Sequence, residues 1–172
     1  AGKFDYLFVD EAGQVSLANL VGMARCAKNI VLLGDQMQLA QPLKGAHPGE
    51  SGSSLLDYLL QDRPTIPEDL GIFLGTTWRM HPKICGFISE AIYEGRLRPA
   101  PGTENRVVRA PQRGAKLVRR EAGILFVPVE HEGNSQCSEE EVAKVCQSRD
   151  ELLGRVLTDE KGKAAGRLGL ED

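Results

Sequence analysis

Residues 3–14 read KFDYLFVDEAGQ, and the fold turns on how this stretch is taken. Phe4, Tyr6, Leu7, Phe8 and Val9 form a short apolar run rich in aromatic and β-branched types. A run of that length with polar flanks predicts a strand buried on both faces, as in a parallel sheet. It stops at two adjacent acids, Asp10 and Glu11, followed by the turn-prone pair Ala12-Gly13. In open α/β sheets ligands sit beyond the carboxyl ends of the strands. There, one acid can hold a Mg2+ that bridges nucleotide phosphates, and its neighbour can orient or deprotonate an attacking water. The competing reading is that the acids end the strand and favour the next helix N-terminus.

The sequence that follows extends the pattern. Val15–Lys28 places apolar residues at helical spacing, with Ser16 as the candidate cap. Asn29–Leu33 predicts a second buried strand, ending in Gly34-Asp35. Strand, helix and strand at these lengths make a βαβ unit with a right-handed crossover. Asp35 then lies at the same sheet edge as Asp10 and Glu11. Gln36, Gln38 and Gln41 follow; their amides both donate and accept hydrogen bonds and can sense a phosphate without adding charge. A polar loop stopped by Pro42 is the alternative.

Residues 44–54 are a Gly/Ser/Pro-rich loop, in which His47 reads as solvated, and Leu55–Leu60 is a short helix capped by Ser53 or Ser54. Gly71–Leu74 predicts a strand leading into TTWRMHP at 76–82. Pro82 suits the first turn of a helix that runs to about Tyr93 and stops at Gly95. Trp78 is the only tryptophan and lies beside Arg79. A large ring can stack on a base, and a guanidinium can bind phosphate bidentately; a packed ring beside a surface arginine is the other reading. Residues 96–120 hold eight basic side chains, among them Arg106, Arg109 and Arg113, and read as an exposed connection or a phosphate-contacting flank. Gly123–Val129 predicts a strand, Ser138 and Glu141 a capping box opening a helix to Leu153, and Thr158–Asp172 a frayed end.

Composition sets bounds without choosing a function. The 172 residues fit one domain, or one domain with part of another. A net charge of -3 offers no global basic field for nucleic acid, although a local groove can hide in an acidic protein. No apolar run reaches transmembrane length and no leader pattern opens the chain. Cys26, Cys85, Cys137 and Cys146 are scattered without metal-ligand spacing, which predicts four reduced thiols in a cytoplasmic protein. A core strand beginning at residue 4 suggests a piece of a longer chain.

VDEAGQ, GDQMQL and TTWRMHP, with YEGRL after the helix, resemble in order and spacing the superfamily 1 helicases. The nearest branch holds the RNA-surveillance helicase and the nuclease-helicase that trims replication flaps. The likeness is good over residues 3–100 and looser over 120–153. It implies an α/β, parallel-sheet RecA-like (P-loop NTPase) fold. Residues 1–75 would end the first RecA-like domain and 76–172 begin the second, with ATP in the cleft between them. By this resemblance Asp10 is the Walker B acid that coordinates Mg2+ and Glu11 the base that activates water. Gln14 lies near the nucleotide, Asp35 and Gln38 belong to motif III, and Gln38 contacts the γ-phosphate. Arg79 reaches the γ-phosphate from the second domain, and Trp78 stands where a tyrosine usually stacks on adenine. The implied partners are single-stranded DNA or RNA, the remainder of a helicase chain and, in some relatives, a nuclease domain. No G-x-x-x-x-G-K-[ST] occurs in the 172 residues. The expectation is therefore an ATP-dependent helicase segment inactive by itself, with a non-catalytic binding remnant as the alternative.

Overall fold

The computed structural model describes residues 2–39, 42, 45, 47–111 and 114–171; Gln41 and Arg113 lie outside them. The chain divides into two compact units, Ala1–Phe73 with Ile92–Glu94, and Leu74–Ala91 with Gly95–Asp172.

The first unit is built on the expected βαβ element. Strand β1 (Phe4–Val9) pairs in parallel with β2 (Ala27–Leu32), Phe4 opposite Ala27 and Val9 opposite Leu32. Helix α1 (Leu17–Met23) joins them and ends earlier than its apolar pattern suggested. The backbone tightens into a 3-10 turn at Ala24–Cys26, so that Ala27 already pairs with β1. Helix α2 (Leu55–Leu60) completes the unit. Val9, Ala12, Leu20, Leu55 and Leu56 form the core, with Leu7, Val15, Leu17 and Leu32 packed against it.

Two serines seat the helices. The Ser16 Oγ accepts the Asn19 N–H at 3.3 Å, and the Ser54 Oγ accepts the Asp57 N–H at 3.1 Å. The backbones before each helix also exchange bonds: the Leu17 N–H donates to the Ser53 carbonyl and the Leu55 N–H to the Val15 carbonyl, both at 3.0 Å. The first N–H of each helix, a group with no partner inside its own helix, is thereby satisfied by the segment that leads into the other.

The two-faced burial expected of β1 does not hold. Side chains alternate along a strand. Leu7 and Val9 meet the core, whereas Phe4, Tyr6 and Phe8 are 57, 60 and 65% exposed. The apolar run was continuous, but the core of this unit covers one face only.

The second unit contains β3 (Thr76–Thr77) paired in parallel with β4 (Arg98–Pro99), and helix α3 (Pro82–Ile92), of which the residues to Ala91 belong to this unit. Helix α4 (Glu139–Leu152) is followed by an antiparallel hairpin of β5 (Val156–Thr158) and β6 (Ala164–Arg167). Three expectations are corrected here. Residues 71–74 and 123–129 are not strands. Ile72, Leu74 and Phe126 are 79–85% exposed, and these runs find no ladder partner among the described residues. The tail is not frayed: β5 and β6 are joined by a turn in which the Asp159 carboxylate accepts the Lys161 and Lys163 N–H groups at 2.8 and 2.9 Å. Thr158 is buried, and its Oγ1 accepts the Val107 N–H at 3.0 Å.

The basic stretch 96–120 is more firmly held than an exposed connection would be. Ala100 and Thr103 are buried. The Glu151 carboxylate accepts the backbone N–H groups of Lys116, Leu117 and Val118 at 2.8–3.2 Å. Arg155, 6% exposed, donates from Nε to the Glu151 carbonyl and from Nη2 to the Val118 carbonyl, both at 2.6 Å. The N–H of Val118 foremost, with those of Lys116 and Leu117, holds the Glu151 carboxyl down to about 2 from 4.5. A folded-state value below the ordinary one stabilises the fold above the ordinary value and ceases to do so as pH falls through the folded value. Glu151→Gln is therefore expected to be less stable than the wild type by a constant margin above pH 4.5, with the margin closing between 4.5 and about 2. Thermal unfolding of both proteins across that window is the measurement, and a margin independent of pH would refute it.

Candidate functional site

In the first unit two loops leave the adjacent ends of β1 and β2 and touch through their backbones. The Leu33 N–H donates to the Val9 carbonyl at 2.9 Å, and the Ala12 N–H to the Leu33 carbonyl at 2.8 Å. A Cβ built on Gly13 would stand 2.5 Å from the Asp35 carbonyl oxygen; one on Gly34 would stand 2.8 Å from the Ala12 nitrogen. Residues 10–14 and 34–38 are thus interlocked at two glycines. Any side chain at either would push the acids of one loop away from those of the other.

The acids themselves face outward. Asp10 and Glu11 are exposed, and the Asp10 Oδ1 accepts the Glu11 N–H at 3.0 Å. Glu11 adopts φ +50°, a left-handed conformation that costs a non-glycine residue of the order of 1–2 kcal/mol. The turn is closed by the Gln14 N–H donating to the Glu11 carbonyl at 2.8 Å. Among the described residues neither carboxylate has an ion-pair partner.

Asp35 is fully engaged by contrast. Its Oδ1 accepts the Met37 N–H at 3.0 Å, and its Oδ2 accepts the Gln38 Nε2 at 3.2 Å and the Tyr93 hydroxyl at 2.5 Å. Burial first, then the hydrogen bond and negative charge of Asp35, push the Tyr93 hydroxyl up to about 12. Gln36 turns away from the acids and donates to the Arg63 and Pro64 carbonyls at 3.0 and 2.9 Å, which makes it an anchor for that connection. Gln14 and Gln38 do converge: with Met37 and Leu39 they line a cavity of about 450 Å³. The structure therefore gathers Asp10, Glu11, Gln14, Asp35 and Gln38 in one region of one unit.

Trp78 and Arg79 belong to the second unit. The Thr77 Oγ1 accepts the N–H groups of Arg79 and Met80 at 3.3 and 3.4 Å. The Arg106 Nη1 donates to the Trp78 carbonyl at 2.8 Å, and its Nη2 pairs with Glu160 at 3.2 Å. The Trp78 side chain is largely open, with the residue 70% exposed, and Arg79 is exposed. Helix α3 starts as the TTWRMHP stretch implied. The His81 Nδ1 accepts the Lys83 N–H at 3.1 Å, and Pro82 occupies the first turn, where no N–H is needed.

Tyr93 and Arg106 are the residues that sequence reasoning missed. In the sequence Tyr93 reads as the end of a helix and the first letter of YEGRL, and its contact lies 58 residues away. Arg106 lies in the basic stretch that the sequence reads as an exposed connection or phosphate-contacting flank; it braces the Trp78 loop. The four cysteines are free thiols, with Cys85 buried and Cys137 exposed. No helix among the described residues is long and apolar enough to cross a membrane.

Comparison with known proteins adds a second line of evidence. A family model described as an AAA domain matches residues 52–161, a span that includes Trp78 and Arg79. The chain is 34% identical over 112 residues to the DNA replication ATP-dependent helicase/nuclease DNA2 of Xenopus laevis, covering 63% of this chain and 10% of that protein. It is 31% identical over 104 residues to Helicase SEN1 of Saccharomyces cerevisiae, covering 59% of this chain and 4% of that one. Over 164 residues, 88% of this chain and 5% of the relative, it is 32% identical to the human 3'-5' exoribonuclease HELZ2. The chain thus spans a tenth or less of these relatives. No solved structure matches.

Proposed function

This chain belongs to the AAA domain family and to the superfamily 1 helicases, and on that premise we propose that it carries part of the ATP-hydrolysing centre of a helicase moving on single-stranded DNA or RNA. In this reading residues 1–75 and 76–172 belong to two successive RecA-like domains. The observation that carries the reading is the interlocking of the Asp10-Glu11 loop with the Asp35–Gln38 turn at the carboxyl ends of adjacent parallel strands. That is where an α/β sheet presents its ligand site.

The roles follow from the chemistry of the side chains. Mg2+ is content with one or two carboxylates beside water and phosphate oxygens, and the exposed Asp10 carboxylate suits that use. The metal would neutralise phosphate charge. Glu11 accepts a proton from the water that attacks the γ-phosphorus, while the bond from that phosphorus to the ADP oxygen breaks. Gln14 and Gln38 line one cavity and contact the nucleotide, Gln38 at the γ-phosphate. Arg79 stabilises charge on the transferring phosphoryl group, and the open Trp78 ring stacks on adenine. Four free thiols are in keeping with a reducing compartment such as the cytoplasm. A nuclease domain elsewhere in the protein is consistent with the relative named as a helicase/nuclease.

Because the 172 residues contain no phosphate-cradling G-x-x-x-x-G-K-[ST], the chain by itself is expected to turn over no ATP, with or without single-stranded nucleic acid. Phosphate release from the purified chain tests this. Steady release above a protein-free control, absent in Glu11→Gln, would overturn the assignment of phosphate binding to a loop outside these residues.

A further inference from the structure

Tyr93 has no role in the function proposed above, yet it makes the shortest contact to Asp35. Its hydroxyl lies 2.5 Å from Oδ2, the same oxygen that accepts the Gln38 side-chain amide at 3.2 Å. The other oxygen, Oδ1, is taken by the Met37 N–H. A carboxylate held on one oxygen by its own turn can still swing about its last bond. A second donor fixed from outside the turn removes that freedom.

Tyr93 is itself fixed. Its ring packs on Phe73 with centroids 6.1 Å apart, and the next residue, Glu94, bonds through its carboxylate to the Thr65 hydroxyl. Residues 92–94 are set in the first unit although the residues just before them are not. Gln38 makes no other side-chain hydrogen bond among the described residues, so its carbonyl oxygen and second amide hydrogen remain for a ligand in the cavity it lines with Gln14.

We propose that Tyr93 is a positioning residue: by fixing the Asp35 carboxylate, its hydroxyl holds the Gln38 amide at the mouth of the cavity. The functional meaning rests on the reading of Gln38 as the group that meets the nucleotide. The raised Tyr93 ionisation agrees with the geometry: partial burial, and then donation to a carboxylate, make the hydroxyl resist losing its proton.

Side-chain amide resonances of the 15N-labelled chain test the proposal. In Tyr93→Phe the Gln38 amide pair should move to the position of a freely rotating, solvated glutamine. The Gln36 pair, bonded to the Arg63 and Pro64 carbonyls, should stay. A Gln38 signal that does not move, or one that moves together with Gln36, would overturn the positioning role; the latter means general loosening. A second variant keeps the shape of the turn. In Asp35→Asn, Tyr93 should ionise lower than about 12, shifting toward but not reaching 10.0, because burial persists. A stopped-flow jump to alkaline pH reads this by phenolate absorbance before unfolding, with Tyr93→Phe as the reference that isolates one tyrosine. An unchanged midpoint would refute the contact. Neither measurement contains nucleotide, so this inference can fail while the ATP-site reading stands, and the reverse.

Discussion

Glu11→Gln, placed in a protein that holds this segment together with a phosphate-binding loop, is expected to lower ATP turnover by roughly 10²–10⁴-fold, the usual contribution of a positioned general base. ATP affinity should change little. Glutamine has the shape of glutamate and adds no charge clash, but its amide cannot take the proton of the attacking water. Glu11 is exposed and lacks an ion-pair partner among the described residues, so its removal breaks no packing and no salt bridge. A stability change therefore cannot stand in for a chemical one. Turnover is read by phosphate release and affinity by titration of a fluorescent ATP analogue. Turnover within a few-fold of wild type would remove Glu11 from the mechanism; lost binding would make it a binding residue instead.

The second large effect is on stability, and it comes from the interlocked glycines. Gly13→Ala would set a methyl group 2.5 Å from the Asp35 carbonyl oxygen and 3.0 Å from its carbon. The obstacle is backbone, tied in place by the Ala12 N–H bond to Leu33 and the Leu33 N–H bond to Val9. Forcing an atom into such a contact typically costs about 1–3 kcal/mol. Gly22→Ala is the matched control. It is an exposed position in the last turn of α1, where a new Cβ meets nothing within 4 Å. Alanine should stabilise the helix there by up to about 0.5–1 kcal/mol, the full value belonging to a helix interior. The same substitution nine residues apart should therefore move the urea midpoint in opposite directions. Two shifts of the same sign would mean that the loops are not in contact as described.

The parts of the fold that were legible in the sequence are those decided by near neighbours. Ser16, Ser54 and Ser138 each cap the helix that follows through a bond to an N–H three residues on. The pairing of β1 with β2 followed from two apolar runs joined by a helix-length segment. What failed were judgements that depend on distant partners. The run from Ile124 to Val129 has strand composition, but a strand requires a ladder, and none forms there. The terminal hairpin escaped notice because β6 is Ala-Ala-Gly-Arg, with no β-branched residue. Its signal was the turn, in which Asp159 is followed at the right distance by Gly162, whose φ is +73°. The candidate site divides the same way. Its acids stand out as residue types at strand ends, whereas the Tyr93 contact to Asp35 is a product of packing and leaves no local trace.

The left-handed backbone at Glu11 bears on how this sequence would change over generations. Glycine would relieve that conformation, and asparagine or aspartate visit it more readily than glutamate. Selection for folding alone would accordingly favour replacement of Glu11, and only selection for a longer carboxylate at that spot opposes it. If Glu11 is the base proposed above, position 11 is where stability and use would pull the sequence in opposite directions. In a lineage that no longer needed the carboxylate, drift toward glycine or asparagine at this residue would be the earliest change to expect, well before the strand or the interlocked glycines eroded.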